Sequence, residues 1–529
     1  MKLSRRALLK ACMGATQLGL LNSFGVLGRN AFAQGAGSDD APSRLLTIYV
    51  PGGYHPLNLF CPLSAEEIAQ HVPQPVGSVL GEHAWYTSDQ VENLAPANGG
   101  YRPVRIARTW DAANPGSRER VNGRKYMPMG YAWREYALHE QLALVHGVDQ
   151  QTAAHNSGYI ASMCGVAGPD YRAPAMQCVV ANALYDRYPN RPLPCVAVDG
   201  RGVPNALGLP TRSAASVVPS IASLGPQLSD SPAANPWWTG LNDRMMRPGF
   251  HFQGQPGSDV NLTALEAHTT ETARLIRGAS NAATDGWLEK LHDGLKDVGS
   301  LLARDVVTAL QNTPGVEHLP EQCTYGGQVV TGYERFGYRF GLANGGVQRE
   351  NDAHFEMVLR LMKADLSSSI HLYMPAHNHD SHSATGHQTN FLWLRGEFDS
   401  IGRLLGEMKA TPAPNRPGRS LFDDTLVLVF SEFSRTWPHQ GDDHWPITSM
   451  LYAGGGIASN RSLGGFDTAN LSGGPRGAAA DVIEETQMRN TRPLKAADIA
   501  ATTARVMGLR FEDFFIPGGF GEIVGVRRT

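Results

Sequence analysis

The hexapeptide Thr425–Phe430, TLVLVF, carries no charge and runs directly into the polar sequence Ser431-Glu432-Phe433-Ser434-Arg435-Thr436. An apolar run this short, rich in valine, suits a β-strand buried on both faces. The pattern recurs. Arg44–Val50 (RLLTIYV) enters Pro51-Gly52-Gly53-Tyr54-His55-Pro56-Leu57-Asn58, a strand followed by a tight turn and polar residues. Ser369–Met374 (SIHLYM) leads into His377-Asn378-His379-Asp380-Ser381-His382, with His387 close behind. Gln141–Val148 (QLALVHGV) reads as another strand, and His155–Cys164 (HNSGYIASMC) as a short helix closed by Gly165. Helical spacing is expected over 262–312, His354–Lys363, Asn390–Met408 and Ala496–Met507, with a further strand at Ser449–Ala453. Strands alternating with helices predict an α/β fold with a mostly parallel central sheet flanked by helices. Residues 62–130 read as elaborated loops. Residues 170–260 are proline-rich and irregular, the start of a large loop and helix insertion expected at about 170–345.

Open α/β sheets bind ligands where the strands end, and the strand ends of this chain concentrate imidazole and carboxylate. Besides His377–His382 there is Asp442-Asp443-His444-Trp445, a few residues beyond Glu432. These groups are the usual ligands of zinc, manganese and iron. Asp380, His382, Asp443 and His444 are the candidate metal ligands, together with His55 and Glu432. Each has a structural alternative. Asp380 and His382 could form a polar loop, and Glu432 could pair with Arg435. His444 could bond within the core, and His55 with Asn58 could fix the first loop. His377, His379 and His387 read as loop histidines or as donors that orient a ligand. His155 and Ser157, at the start of the short helix, are the candidate catalytic groups, with a helix-capping role as the alternative for Ser157. No Gly-x-Ser-x-Gly stands between a strand and a helix, which disfavours a serine-hydrolase elbow. Gly454–Gly456 reads as a turn, and the Trp237-Trp238 pair as partly buried.

The N-terminus bears on location. Ser4-Arg5-Arg6-Ala7-Leu8-Leu9-Lys10, an apolar stretch over residues 11–27 and Ala31-Phe32-Ala33 form a twin-arginine export pattern, with cleavage expected after Ala33. The apolar stretch is interrupted by Gly14, Gln17, Gly19, Asn22 and Gly25, so it makes a poor permanent membrane span. The expected location is the periplasm or the exterior, and the export machinery is the expected partner. Removing residues 1–33 takes away five basic residues and no acids, leaving 496 residues with 41 basic against 49 acidic side chains. A net charge near −8 without a basic patch argues against nucleic acid. Cys12 leaves with that segment. Five cysteines remain (Cys61, Cys164, Cys178, Cys195 and Cys323) with no Cys-x-x-Cys pair, against iron–sulfur or thiol-redox chemistry. They allow at most two disulfides, of unspecified pairing, or five small core residues.

The segment DDTLVLVFSEFSRTWPHQGDDHWPITSMLYAGGGI resembles the signature of the DUF1501 proteins, exported bacterial proteins related to the alkaline phosphatase and sulfatase superfamily. The pattern strand–SEFGRT–GxDHW–strand–AGGG is matched by Ser431–Thr436, Asp442–Trp445 and Ala453–Gly456. Asp380-Ser381-His382 is similar to the family's Asp-Thr-His, and Gly52–Asn58 to its Gly-Gly-x-Asp-x-x-Asn. His155-Asn156 through Gly165 is similar to its Ser/Asn-His helix, and RPLKAADIAATTARVMGL to its closing helix. The likeness is strongest over residues 370–510 and patchy over 44–168. It implies an alkaline-phosphatase-like scaffold holding one or two divalent metals, zinc or manganese, and acting on phosphate or sulfate esters of small molecules or polymers. By position, Asp380 and His382 resemble ligands of one metal, completed by His444 or Asp443, and Glu432 an acid ligand of a second. Two departures stand out. His55 replaces the first-strand Asp, which disfavours magnesium and calcium. Ten residues before Gly165, the nucleophile's place in the sulfatase helix falls on His155, with Ser157 two residues on and Thr152 three upstream. A non-catalytic binding or assembly protein on the same scaffold, with a co-exported partner, is the alternative these departures favour.

Overall fold

A computed structural model describes residues 40–54, 60, 91–94, 104–107, 137–166, 173–198, 202, 204–210, 213–218, 310, 313, 322–325, 328–331, 349–374, 379–380, 382, 384–436, 443–467, 476–484, 489–514 and 516–529. The expected export segment, the Trp237-Trp238 pair, His55, Asn58 and His377 lie outside these residues. So does most of the region expected as an insertion.

The centre is a large mixed sheet. Its strands are β1 (Arg44–Tyr49), β2 (Leu142–Asp149), β3 (Cys195–Val198), β4 (Ser216–Val218), β5 (Ser369–Tyr373), β6 (Thr425–Phe430), β7 (Ile447–Gly454), β8 (Arg461–Gly464), β9 (Ala479–Glu484), β10 (Arg489–Lys495) and β11 (Gly521–Ile523). Across the sheet the order is β11-β9-β10-β2-β7-β6-β1-β5-β3-β4, with β8 also pairing to β2. The run β6-β1-β5-β3-β4 is wholly parallel. Strand β7 is antiparallel to both β6 and β2, so β2 points the same way as the parallel core. Four strands that carry candidate residues on their following loops, β1, β2, β5 and β6, therefore end at one edge of the sheet.

Alternation along the strands explains the two-sided core, because successive side chains point to opposite faces. On β1, Leu46 and Ile48 join a cluster with Phe355, Leu359, Phe398 and Leu405. These come from α3 (Arg349–Lys363) and α4 (Ala384–Ala410). Leu45 and Tyr49 face the other way, into a cluster with Met163, Val179, Ile499 and Ala500. These belong to α1 (His155–Cys164), α2 (Met176–Leu184) and α5 (Ala496–Val506). Both rows of β1 and β6 are buried, which is why these strands read as continuous apolar runs.

The chain between 176 and 218, expected to be irregular, supplies α2, β3 and β4. Burial drives this: Met176, Cys178, Val179, Val180 and Ala181 are all within the core, as are Cys195–Val198. The expected strands at 44–50, 141–148, 369–374, 425–430 and 449–453 and the expected helices at 155–164, 354–363, 390–408 and 496–507 stand within about six residues of where the periodicity put them, and the helical segment expected over 262–312 lies outside the described residues apart from residue 310. The C-terminal part adds β8 and β10, both parallel to β2, and β9, antiparallel to β10 and β11, to a sheet already mixed by β7.

The amino end of the parallel strands is locked by charge. Arg44 pairs with both Asp424 and Asp365. Arg191 reaches Asp365 at 2.7 Å and donates to the backbone carbonyl and hydroxyl of Ser43. All five side chains are buried or nearly so.

Candidate metal centre

The loops leaving β2, β5 and β6 converge on one carboxylate, that of Asp380. Its Oδ1 is 3.0 Å from His382 Nε2, 3.1 Å from His444 Nε2 and 2.9 Å from an Arg435 guanidinium nitrogen. Its Oδ2 is 3.3 Å from His155 Nε2. Six residues singled out in the sequence, Asp380, His382, Glu432, Asp443, His444 and His155, are thus brought together.

Local structure sets each of them. His155 is the first residue of α1, which begins one short loop after β2. Its Nδ1 lies 2.7 Å from Glu432 Oε1. Glu432 is buried at the end of β6, and the same oxygen accepts the backbone N–H of Gly52 at 2.7 Å. Its other oxygen accepts the Ser431 hydroxyl at 2.8 Å. Burial raises the Glu432 pKa, but the hydrogen bond from His155, with others, outweighs it and holds the carboxylate below its ordinary range. Reciprocally, the hydrogen bond to Glu432 raises the His155 pKa against the opposing effect of burial, and the Asp380 charge adds to the rise.

Close approach of α1 to this loop requires Gly158. A Cβ there would stand 2.5 Å from the Glu432 backbone oxygen. Gly53 has a positive φ of 78°, and a side chain on it would strike the Phe433 ring.

His444 sits in a two-residue ladder, Ser434–Arg435 against His444–Trp445. Its Nδ1 is 2.9 Å from the carbonyl oxygen of Ala153, so Nδ1 carries the proton and donates. The His444 ring stacks on Phe433 with centroids 4.4 Å apart, and His155 approaches the same phenyl ring at 4.8 Å. Asp443 is mostly exposed, at 69 %, with one oxygen 3.8 Å from His382 Nδ1 and accepting the His444 backbone N–H.

A pair of Arg435 with Glu432 is the structural alternative to ligation by Glu432, and the guanidinium does not make it. It pairs instead with Asp380, and it donates to the carbonyls of Gly52, Gly53 and His379. The guanidinium, almost wholly buried, pins three loops together. Burial of Asp380 raises its pKa, yet the hydrogen bond and positive charge of Arg435, with the imidazoles around it, hold it far below the ordinary carboxylate range. His379 is buried, not a surface histidine. Its Nε2 meets Glu397 Oε2 of α4 at 2.7 Å, and its backbone N–H donates to Pro51. Ser157 lies in the first turn of α1 but does not cap it: the N-cap position belongs to Ala154, and the Thr152 hydroxyl accepts the Ala154 N–H. Phe433, Ala153 and Glu397 are contributors the sequence did not single out. A phenylalanine beside an acid, an alanine in a loop and a lone carboxylate on a long helix give no local signal.

The donor set fits a metal ion on three counts. With Nδ1–H committed to Ala153, the Nε2 lone pair of neutral His444 faces a carboxylate oxygen, an acceptor against an acceptor. That contact requires either a second proton or a cation. His155 repeats the arrangement: Nδ1 is committed to Glu432, and Nε2 is shielded from solvent and has no hydrogen-bond partner. Finally, the carboxylate-to-imidazole spacings of 3.0, 3.1 and 3.3 Å match the edge of a tetrahedral zinc site, about 3.3 Å for ligand bonds of about 2.0 Å. Two ligand-type groupings share His444. One is His155, Asp380 and His444, and the other is His382, Asp443 and His444.

Residues 360–520 match the DUF1501 family, described as a protein of unknown function. The DUF1501 stretch holds Asp380, His382, Glu432, Asp443 and His444, and His155 reaches the cluster from outside it. No curated protein matches the chain.

Proposed function

We propose that this chain is an exported, divalent-metal-dependent hydrolase of phosphate or sulfate esters on an alkaline-phosphatase-like α/β scaffold. The observation that carries the reading is one carboxylate, Asp380, facing three imidazole Nε2 atoms at the carboxyl edge of a parallel sheet. Asp380, His155, His444 and His382 would hold the ion, and a set this rich in nitrogen favours zinc over magnesium or calcium. A bound zinc would supply Lewis acidity toward the ester's phosphoryl or sulfuryl oxygens.

The remaining tasks belong to the chain. Glu432 keeps the His155 proton on Nδ1 and so directs Nε2 at Asp380. The Ala153 carbonyl does the same for His444. Arg435 fixes Asp380 against the β1 loop. Ser157, the first hydroxyl-bearing residue of α1, is the nucleophile this reading assigns, in the turn where free backbone N–H groups favour an anion. The test is turnover of 4-nitrophenyl phosphate and 4-nitrophenyl sulfate by zinc-loaded protein beside Asp380→Ala and Ser157→Ala. Turnover lost in both variants supports the assignment. Zinc-bound protein inert toward both esters moves the reading to the second one.

That second reading, a binding or assembly protein on the same scaffold with a co-exported partner, has a specific observation in its favour. Both Glu432 oxygens are occupied by Gly52, His155 and Ser431, so Glu432 does not stand open for a second metal. A centre whose buried acid is spent on holding loops together suits binding.

A further inference from the structure

Two thiols in the core on the α1, α2 and α5 face of the sheet touch each other. Cys178 on α2 and Cys195 on β3 are fully buried, with Sγ atoms 4.0 Å apart. At this separation the two sulfurs are in van der Waals contact, about twice the disulfide bond length of about 2.0 Å, and the Cys178 thiol also donates to the Pro204 carbonyl oxygen at 3.6 Å. The third described thiol, Cys164 at the end of α1, is committed elsewhere: the Asn205 amide donates to it at 3.6 Å. We propose that Cys178 and Cys195 form a disulfide that ties α2 to β3, with Cys164 remaining a thiol.

The chemistry balances with a small-molecule disulfide such as oxidised glutathione as the oxidant. The thiolate of Cys178 attacks one glutathione sulfur, forming a mixed disulfide and releasing a glutathione thiolate. The thiolate of Cys195 then attacks the Cys178 sulfur and expels the second. The pair loses two electrons and two protons, and the oxidant becomes two molecules of reduced glutathione. Burial fixes the timing. In the folded core the sulfurs are out of reach of an oxidant, and the Cys195 thiol is held well above its ordinary pKa by its contact with Cys178 and by desolvation. The twin-arginine route expected from the N-terminus carries folded chains, so exchange belongs to a transient opening of α2 after export, and the closed core then seals the bond from reductant.

The link sits at a useful place. Gln177, next to Cys178, donates to Thr47 on β1 at 2.8 Å. Thr47 hydrogen-bonds His371 Nδ1, and His371 Nε2 meets the Tyr159 hydroxyl at 3.1 Å. Tyr159 lies one turn beyond His155 on α1. A covalent tie at 178 braces this buried polar chain under the helix that carries His155. The inference stands whether or not the centre is catalytic.

The test is a disulfide map. Reduced, denatured full-length chain is refolded in a glutathione redox buffer, blocked with N-ethylmaleimide and digested with trypsin without reduction. Trypsin spares Arg191 because Pro192 follows it, so the expected species is peptide 173–187 joined to peptide 188–201. It should disappear on reduction and persist in Cys164→Ser. N-ethylmaleimide on both Cys178 and Cys195, or either of them joined to Cys164, overturns the proposal. Full-length protein isolated without reductant from an export fraction gives the same two outcomes for a chain that does not refold.

Discussion

The Nδ1 of His155 and the Oε1 of Glu432 lie 2.7 Å apart, the first residue of a helix bonded to a buried acid that ends a strand on the far side of β7. This contact turns an imidazole outward with one nitrogen committed and the other aimed at Asp380. It also makes Glu432 the junction of three loops, because Gly52 and Ser431 use the same carboxylate.

Replacing Glu432 therefore does more than remove one ligand-type group. Glu432→Ala leaves the Gly52 N–H, the Ser431 hydroxyl and His155 without their acceptor in a buried setting. The expected cost is about 3–5 kcal/mol, as for other buried pairs broken from one side. Glu432→Gln keeps acceptor capacity and should lose less. Urea unfolding of the two variants checks the order. Equal, small losses would mean that Glu432 is not the junction described.

The pH response of the centre has a defined sign. Glu432 raises the His155 pKa above 6.5, so this group's stabilisation is fully present below 6.5 and fades as pH rises through the raised value. His155 is partly exposed, which tempers the size of the effect. Asp380 is held low. Its contribution is present above the ordinary carboxylate pKa of about 4 and is lost as pH falls below it. In chelator-treated protein, NMR titration should place the His155 imidazole above 6.5 and move it down toward 6.5 in Glu432→Gln. An unmoved titration in that variant contradicts the coupling.

Gly158→Ala tests the packing of α1. The new methyl would meet the Glu432 carbonyl at 2.5 Å, so the helix or the loop must shift. Overpacking of this kind costs about 1–3 kcal/mol, and the shift should weaken zinc retention as well. Gly518→Ala, with nothing within 4 Å of the added carbon, is the matched control and should change neither. Thermal unfolding and zinc content of both variants decide it.

At the other end of the sheet, the Arg44–Asp365–Arg191–Asp424 group predicts acid sensitivity. Burial raises the Asp365 pKa, but Arg191 and Arg44 outweigh it and hold the carboxyl low. Its stabilisation is present above about pH 4 and lost as pH falls through the depressed value. Asp365→Asn should weaken the protein at pH 7 and flatten its stability loss between about pH 5 and 3. Urea midpoints across that range provide the check, and a variant as acid-sensitive as the wild type would contradict it.

The strands with both faces buried were legible because TLVLVF and RLLTIYV have no other plausible use. The helix at His155–Cys164 was bounded by a glycine that adopts the left-handed conformation at its end, φ 69°. Region 176–218 was hidden by its prolines, although its apolar residues enter the core. The C-terminal strands β8 to β11 were hidden differently. On β9 only Ala480 and Val482 are buried, and on β10 only Leu494, so they show mixed polar and apolar residues in place of an apolar run. The site's residue types were visible, but their pairing was not. Arg435 could not be assigned to Asp380 over Glu432, because the two acids are 52 positions apart and meet only once β5 and β6 flank β1.

The central claim is that Asp380 and its three histidines hold a metal ion. The most direct measurement is elemental analysis of purified protein after dialysis against zinc, beside Asp380→Ala/His444→Ala treated identically. About one equivalent of zinc in the wild type and none in the double variant is the predicted result. A folded wild type that retains no zinc or manganese, or a double variant that retains as much as the wild type, would contradict it.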